Sequence, residues 1–178
     1  ENPQGIIAVA KMVEGSLAAI DDRQDLFILV LDRLQDPGNM GTIIRTAEAA
    51  GVDAVIITKG SVDPYNSKTL RATMGAIFHI PLIQVDNNDE WLAMTKERNI
   101  KILASGLEGS QDYSSISYAG SIAIVIGNEA NGVEDTLLKA ADKIVKIPIL
   151  GKIESLNASI AAGILIYKAV EARDFLKA

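Results

Sequence analysis

The 178-residue chain contains no cysteine, which excludes a disulfide framework and any thiolate nucleophile or metal ligand, and is compatible with a reducing compartment. Histidine is nearly absent too. The single His79 sits in "GAIFHIPLI" beside apolar residues, with no Ser or Cys nucleophile motif to serve, so it reads as structural. No His, Cys and Asp set has metal-ligand spacing, and no Walker loop is present. Long apolar runs are lacking: "SIAIVIG" and "FILVL" fall far short of the roughly 20 residues a bilayer span needs. The opening "ENPQG" does not have the pattern of a secretory signal. An excess of basic charge is missing as well. A net charge of −6 and a pI near 4.8 argue against gripping nucleic acid through bulk electrostatics.

What is present is apolar. Hydrophobic residues make up 48% of the chain, enough for one compact domain with a sizeable core. The charge is uneven. From Gln84 to Asp135 there are nine acids and three bases, which accounts for the whole −6, whereas from Lys139 onward there are seven Lys or Arg and four acids. A negative face and a mildly positive end can therefore coexist, and a polyanion can use the latter.

Short Val, Ile and Leu runs, "LFILVLD", "DAVIIT", "IKILAS", "SIAIVIG" and "DKIVKIPI", lack polar alternation and predict strands buried on both faces. Between them, Met40, Ile43, Ile44, Ala47 and Ala50 follow helical spacing, as do Leu156, Ile160, Ile164, Tyr167 and Val170. Trp91 in "NNDEWLAMTKE" reads as a helix anchor. The alternation predicts an α/β fold in a single domain, with a mostly parallel sheet and helices on both faces. No repeat or long linker interrupts it. Residues 1–25 are expected to form an N-terminal strand, "GIIAVAKMV", and an approach to the core, and residues 26–178 the domain proper.

Four loops rich in glycine and polar residues follow strands: "LQDPGNMG", "SGLEGSQD", "GNEANGVED" and "ILGKIESLN". In an open parallel sheet they share the carboxyl edge, where ligands bind. In the first, Asp36-Pro37-Gly38-Asn39 is turn chemistry and Asn39 is expected to cap the next helix, leaving free N–H groups for an anion. Arg45 then falls between one and two turns in and leaves the apolar stripe. Read from the helix alone it is a solvated cation; the alternative is an anion contact beside the turn. In the second motif, Gly127 permits a sharp turn or close approach, and Glu129 precedes a helix expected near Val133, whose dipole it would favour. In the last, Ser155 or Asn157 is the expected cap, and Ala158, Ala161, Ala162 and Gly163 allow another backbone close by. No G-x-G-x-x-G spacing appears, which counts against a dinucleotide-dependent oxidoreductase.

Together, Asp36 to Gly41 with Arg45, then "IVIGNEANGV", then "IPILGKIESLNASIAAGILIY" resemble the SpoU (TrmH) family of S-adenosylmethionine-dependent RNA ribose 2′-O-methyltransferases, in the SPOUT superfamily, from about Leu26 to Tyr167. The resemblance implies a C-terminal trefoil knot, which topology rules alone would reject. It also implies a homodimer joined through the knotted region and last helix, a cytoplasmic setting, and no metal. The expected substrate is structured RNA, ribosomal or else transfer RNA. By the same resemblance Gly127, Ile147 and Leu156 hold S-adenosylmethionine, largely through main-chain groups, with Gly106 lining the pocket. Asn39, Arg45, Glu129, Ser155 and Asn157 match catalytic and substrate-placing positions. An Arg is very hard to deprotonate, so Arg45 reads better as a forked clamp on the target phosphate than as the base. The opening residues resemble the junction after a small RNA-binding domain, so the chain is expected to be the catalytic domain alone. A non-catalytic RNA-binding member of the same fold is the alternative, against which the intact polar set counts.

Overall fold

The structure, a computed structural model, describes residues 5, 9, 11–12, 15–20, 25–107 and 110–173. Most of the expected N-terminal strand "GIIAVAKMV" lies outside the described residues. The described residues form seven strands and five α-helices. They are β1 Phe27–Leu31, α1 Pro37–Ala49, β2 Ala54–Thr58, α2 Ser67–Thr73, β3 Leu82–Val85, α3 Asp89–Glu97, β4 Lys101–Ser105, β5 Gln111–Asp112, β6 Ile122–Ile126, α4 Asp135–Ala140, β7 Lys143–Lys146 and α5 Ala158–Ala172. All pair in parallel, in the order β3-β2-β1-β6-β4-β7-β5. The five expected strands are all there. The structure adds β3, whose apolar run is broken by Gln84, and β5, whose two residues Gln111 and Asp112 are both polar, and ends β7 at Lys146 instead of Ile149.

The unbroken apolar runs have a simple cause. Phe27, Leu29 and Leu31 of β1 face one core with Val55, Ile57, Ile122 and Ile124. Ile28 and Val30 face a second core with Ile56, Ala123 and Val125. Helices α1 and α5 cover the first side, and Trp91 and Met94 of α3 with Leu137 of α4 cover the second. Each fully buried Leu or Ile contributes about 1.5–3 kcal/mol, so a polar residue on either side of these strands would be costly.

Helix α1 buries Met40, Ile43, Ile44 and Ala47, as its spacing predicts, and Ala50 is its buried C-cap. Its start differs from expectation. Asp36, not Asn39, is the N-cap: its carboxylate accepts from the Asn39 N–H at 2.7 Å, and Pro37 occupies the first helical position. Proline lacks the N–H that would go unsatisfied there, and the aspartate answers the orphan donor at the third position. Arg45 is thus nine residues beyond the cap, about two and a half turns at 3.6 residues per turn.

Helix α5 departs further. Its buried face is Ala162, Leu165, Ile166, Ala169 and Val170, whereas Ile160 and Tyr167 of the predicted stripe are 56% and 52% exposed. The helix is apolar around most of its circumference, so periodicity could not choose which face points inward. Asn157 is its cap, accepting from the N–H groups of Ser159 at 2.8 Å and Ile160 at 3.3 Å, and this decides between Asn157 and Ser155. Helix α4 begins at Asp135, two residues later than expected.

Candidate functional site

The strand order reverses around β1: β2 and β3 lie to one side, and β6, β4, β7 and β5 to the other. The helix after β1 covers one face of the sheet and the helix after β6 the opposite face. Their connecting loops therefore part at the carboxyl ends of β1 and β6, opening the crevice that α/β sheets use for ligands. Three of the four predicted loops are hydrogen-bonded to one another there.

The centre is Glu129. One of its oxygens accepts from the Gln35 N–H at 3.0 Å, and the other accepts from the Asp36 N–H and the Asn39 side-chain amide, both at 3.1 Å. The Asn39 carbonyl oxygen in turn accepts from the Asn157 amide at 3.0 Å. Residues 90 and 118 positions apart in sequence thus form one chain, Glu129 to Asn39 to Asn157. Partial burial pushes the Glu129 carboxyl up, but the Gln35 N–H, the Asn39 amide and the Asp36 N–H outweigh it and hold the group below the ordinary glutamate range. The carboxylate therefore answers the N-terminus of α1 from across the crevice. The expected service to the helix that follows it in sequence is not what it performs.

Arg45 and Ser155 are exposed, and neither makes a hydrogen bond or ion pair with any described residue. The structure thus joins three of the five catalytic candidates and leaves one cation, Arg45, and one hydroxyl, Ser155, without a partner among the described residues. The exposure of Arg45 matches the solvated cation its helix position suggests, and equally leaves its fork open to an anion.

The cofactor candidates divide in the same way. A Cβ on Gly127 would overlap the Gly132 carbonyl carbon and the Val133 nitrogen. Gly127 is therefore glycine because its own loop folds back across it, closing an antiparallel bridge between Asn128 and Gly132. Gly106 is hemmed in by Ile144, whose Cγ2 would lie 2.7 Å from an added Cβ. Ile147 is half-buried and packs against the α1 side of the core, and Leu156 is also half-buried. Between them, residues 147–156 make no backbone or side-chain hydrogen bond to any described residue. Ten residues of unused main-chain donors and acceptors flanked by two apolar side chains are suited to hold a flat heterocycle by its edge. The loop after β4 is not hydrogen-bonded to the other three among the described residues.

Sequence reasoning overlooked Gln35, Asp36 and Asn128 as individual contributors. Asn128 accepts from the N–H groups of Ala130 and Asn131, both at 2.9 Å, and donates to the Arg33 carbonyl at 2.8 Å, which shapes the loop carrying Glu129. Its signal was an Asn at the head of a glycine-rich turn. His79 is exposed at the amino end of β3, on the opposite edge of the sheet, and Trp91 is wholly buried. Among the described residues no cluster of His, Cys, Asp and Glu is placed to hold a metal ion. Among the described residues no helix is long and apolar enough to cross a membrane. Cavities of about 420 and 400 Å³ lie elsewhere, one beside Leu92, Lys101 and Asp142, the other beside Lys59, Tyr65 and Gln84.

Comparison with known proteins gives a consistent picture. The profile of the SpoU rRNA Methylase family matches residues 26–167. The 23S rRNA (guanosine(2553)-2'-O)-methyltransferase RlmP of Bacillus subtilis is 41% identical over 94% of this chain. The SpoU methyltransferase AviRb of Streptomyces viridochromogenes superposes with a TM-score of 0.87 at 30% identity, over 92% of this chain. An AdoMet-bound rRNA methyltransferase of Sinorhizobium meliloti gives 0.86 at 35% identity, over 90%. The chain spans 65%, 65% and 62% of the lengths of those three proteins.

Proposed function

The chain belongs to the SpoU rRNA Methylase family, and from that premise we propose that it transfers a methyl group from S-adenosylmethionine to a ribose 2′-hydroxyl of structured RNA, ribosomal RNA first and transfer RNA second. The observation that carries this reading is the Glu129–Asn39–Asn157 chain, which assembles polar groups from three loops at the switch point of the sheet. A dinucleotide oxidoreductase has no support from the family or the loops. A purely RNA-binding member would have no use for the assembled cluster.

The residues fit the cofactor. Main-chain groups of residues 147–156 and the apolar sides of Ile147 and Leu156 would hold the adenine and the methionine tail, with Gly127 shaping the neighbouring loop. When bound, S-adenosylmethionine supplies an electrophilic methyl on a sulfonium. The chain's own task is then to place a weakly acidic hydroxyl in line and ease the loss of its proton, so positioning carries most of the rate. Asn39 and Asn157, held by Glu129, orient the ribose. Arg45, exposed and unpaired with any described residue, clamps the adjacent phosphate and stabilises developing alkoxide charge. The proton passes to that phosphate or to water.

The same reading extends to a C-terminal trefoil knot, a homodimer and a cytoplasmic setting. The return from β7 to α5, which packs back against α1 and β6, supports the knot. The exposed Ile160 and Tyr167 on α5 support a second copy covering that helix. The test is incubation with methyl-labelled S-adenosylmethionine and ribosomal or transfer RNA, followed by nucleoside analysis. A labelled 2′-O-methyl nucleoside is expected; label on a base, or none on any RNA, would overturn the assignment.

A further inference from the structure

Asp32 is the only fully buried acidic or basic side chain among the described residues, at 0% exposure. It ends the most apolar run of β1, where an unpaired carboxylate would be strongly disfavoured. Four donors surround it. Arg33 Nε at 3.2 Å and Thr58 Oγ1 at 3.2 Å donate to one oxygen, and Arg33 Nη2 at 3.1 Å and the Glu134 N–H at 2.8 Å donate to the other.

Arg33 makes this possible by an unusual backbone. Its φ is +52°, a left-handed conformation that a non-glycine residue adopts only when its surroundings compel it. The turn brings its guanidinium back onto its own neighbour, lets its N–H donate to Thr58 Oγ1 at 3.0 Å, and presents its carbonyl to the Asn128 amide at 2.8 Å and the Gln35 amide at 3.1 Å. Asn128 is the residue before Glu129, and Gln35 supplies one of the N–H groups that Glu129 accepts. A hydrogen-bonded path therefore runs from the buried carboxylate through Arg33 to both walls of the Glu129 corner.

We propose that Asp32 is a positioning residue: through Arg33 and the Glu134 N–H it locks the loop after β6 against the loop after β1, so that Glu129 meets Gln35, Asp36 and Asn39. The consequence for methyl transfer rests on the functional reading above, whereas the positioning itself does not. The competing role, a carboxylate that only satisfies the end of the sheet, predicts a general loss of stability with no special effect at Glu129.

Asp32→Asn in the full chain separates the two, because the isosteric amide turns an acceptor toward the Arg33 or Glu134 donor into a competing donor. Thr58→Val, which removes one donor to Asp32 and the acceptor for the Arg33 N–H, is the second variant should Asp32→Asn not fold. The readouts are a carbon-detected pH titration of the Glu129 carboxyl and amide exchange at Gln35 and Asp36. The groups facing Glu129 are the Gln35 and Asp36 N–H groups and the Asn39 amide, and the nearby Asp36 carboxylate pairs with Lys68 at 3.8 Å. In the variants the Glu129 midpoint should rise toward that of a free glutamate. Exchange at Gln35 and Asp36 should quicken by about tenfold, roughly one lost hydrogen bond, with the buried amides of α5 unchanged. An unchanged Glu129 midpoint, or protection lost evenly across the sheet, would overturn the proposal. In methyl transfer, Asp32→Asn should lower kcat at constant KM for S-adenosylmethionine and add little to Glu129→Gln; two full, independent losses would likewise count against it. Local changes at Glu129 in a protein that methylates no RNA would leave the positioning intact and sink only the functional reading.

Discussion

Two stretches at the same edge of the sheet are built in opposite ways. From Asp32 to Asn39 and across to residues 128–134, hydrogen bonds within the chain tie the two loops together, and Glu129 alone accepts three of them. From Ile147 to Leu156, no hydrogen bond to a described residue is made, and Leu150 and Ile153 stand 98% and 63% exposed. The first region is organised by hydrogen bonds within the chain; the second has its donors and acceptors in reserve. For methyl transfer to a hydroxyl this division makes sense. On the functional reading proposed above, the Glu129 corner would be the substrate side, which must hold an in-line geometry to fractions of an ångström, and residues 147–156 the cofactor side, which can gain its order from the molecule it binds.

The largest expected effect breaks the organised side. Gly127→Ala forces a Cβ into the Gly132–Val133 backbone, which cannot give way as a flexible side chain would. We expect a loss of about 3 kcal/mol or more in urea unfolding. Gly132→Ala meets no atom within 4 Å but sits at φ +68°, so it should lose only about 1–2 kcal/mol. Equal losses would mean that crowding at Gly127 is relieved elsewhere.

Arg45→Lys leaves the hydrogen bonds of the organised region untouched, since Arg45 has no bond among the described residues. Stability should hold within about 0.5 kcal/mol, while kcat on RNA falls by roughly 100-fold. Near-normal turnover would end the forked-clamp role.

Saturating S-adenosylhomocysteine should sharpen the contrast from the other side. At about 100 times its Kd, amides in 147–156 should gain up to roughly 100-fold protection from exchange, with far less change at Gln35 and Asp36. Uniform protection would show that both regions are equally preformed.

The smallest effect is electrostatic. Because the folded Glu129 carboxyl lies below its ordinary value, it stabilises the fold above the unfolded glutamate pKa of about 4.3, and that contribution is lost as pH falls through the folded value. Glu129→Gln should thus be less stable than the parent at pH 7, and the difference should shrink on acidification below about pH 4. A difference that grows on acidification would contradict the hydrogen-bond assignment.

Much of this molecule was legible one element at a time. The five long strands and the inner face of α1 follow from local spacing, and Trp91 was rightly read as an anchor. Asn39 was placed as a cap because Asn is a good one, yet Asp36 and Pro37 compete for the same turn and win, which frees the Asn39 amide for Glu129. On α5, apolar residues on nearly every side left the inward face undecided until α1 and β6 packed against it. Nothing in the local sequence sets Asp32 and Arg33 apart from a charged pair ending a strand.

By itself the sequence determined the parallel α/β sheet with helices on both faces, the carboxyl-edge location of its four polar loops, and the family to which those loops belong. These follow from unbroken apolar runs, a 3.6-residue helical period and short motifs, which are local properties of the chain. Tertiary structure alone decided which N-terminus Glu129 serves, that Asn39 links it to Asn157, and that Asp32 is buried against the Glu134 N–H. Those contacts join residues about 90 to 120 positions apart, and no local propensity encodes a partner at that distance; it exists only once the strand order has brought β1 and β6 side by side.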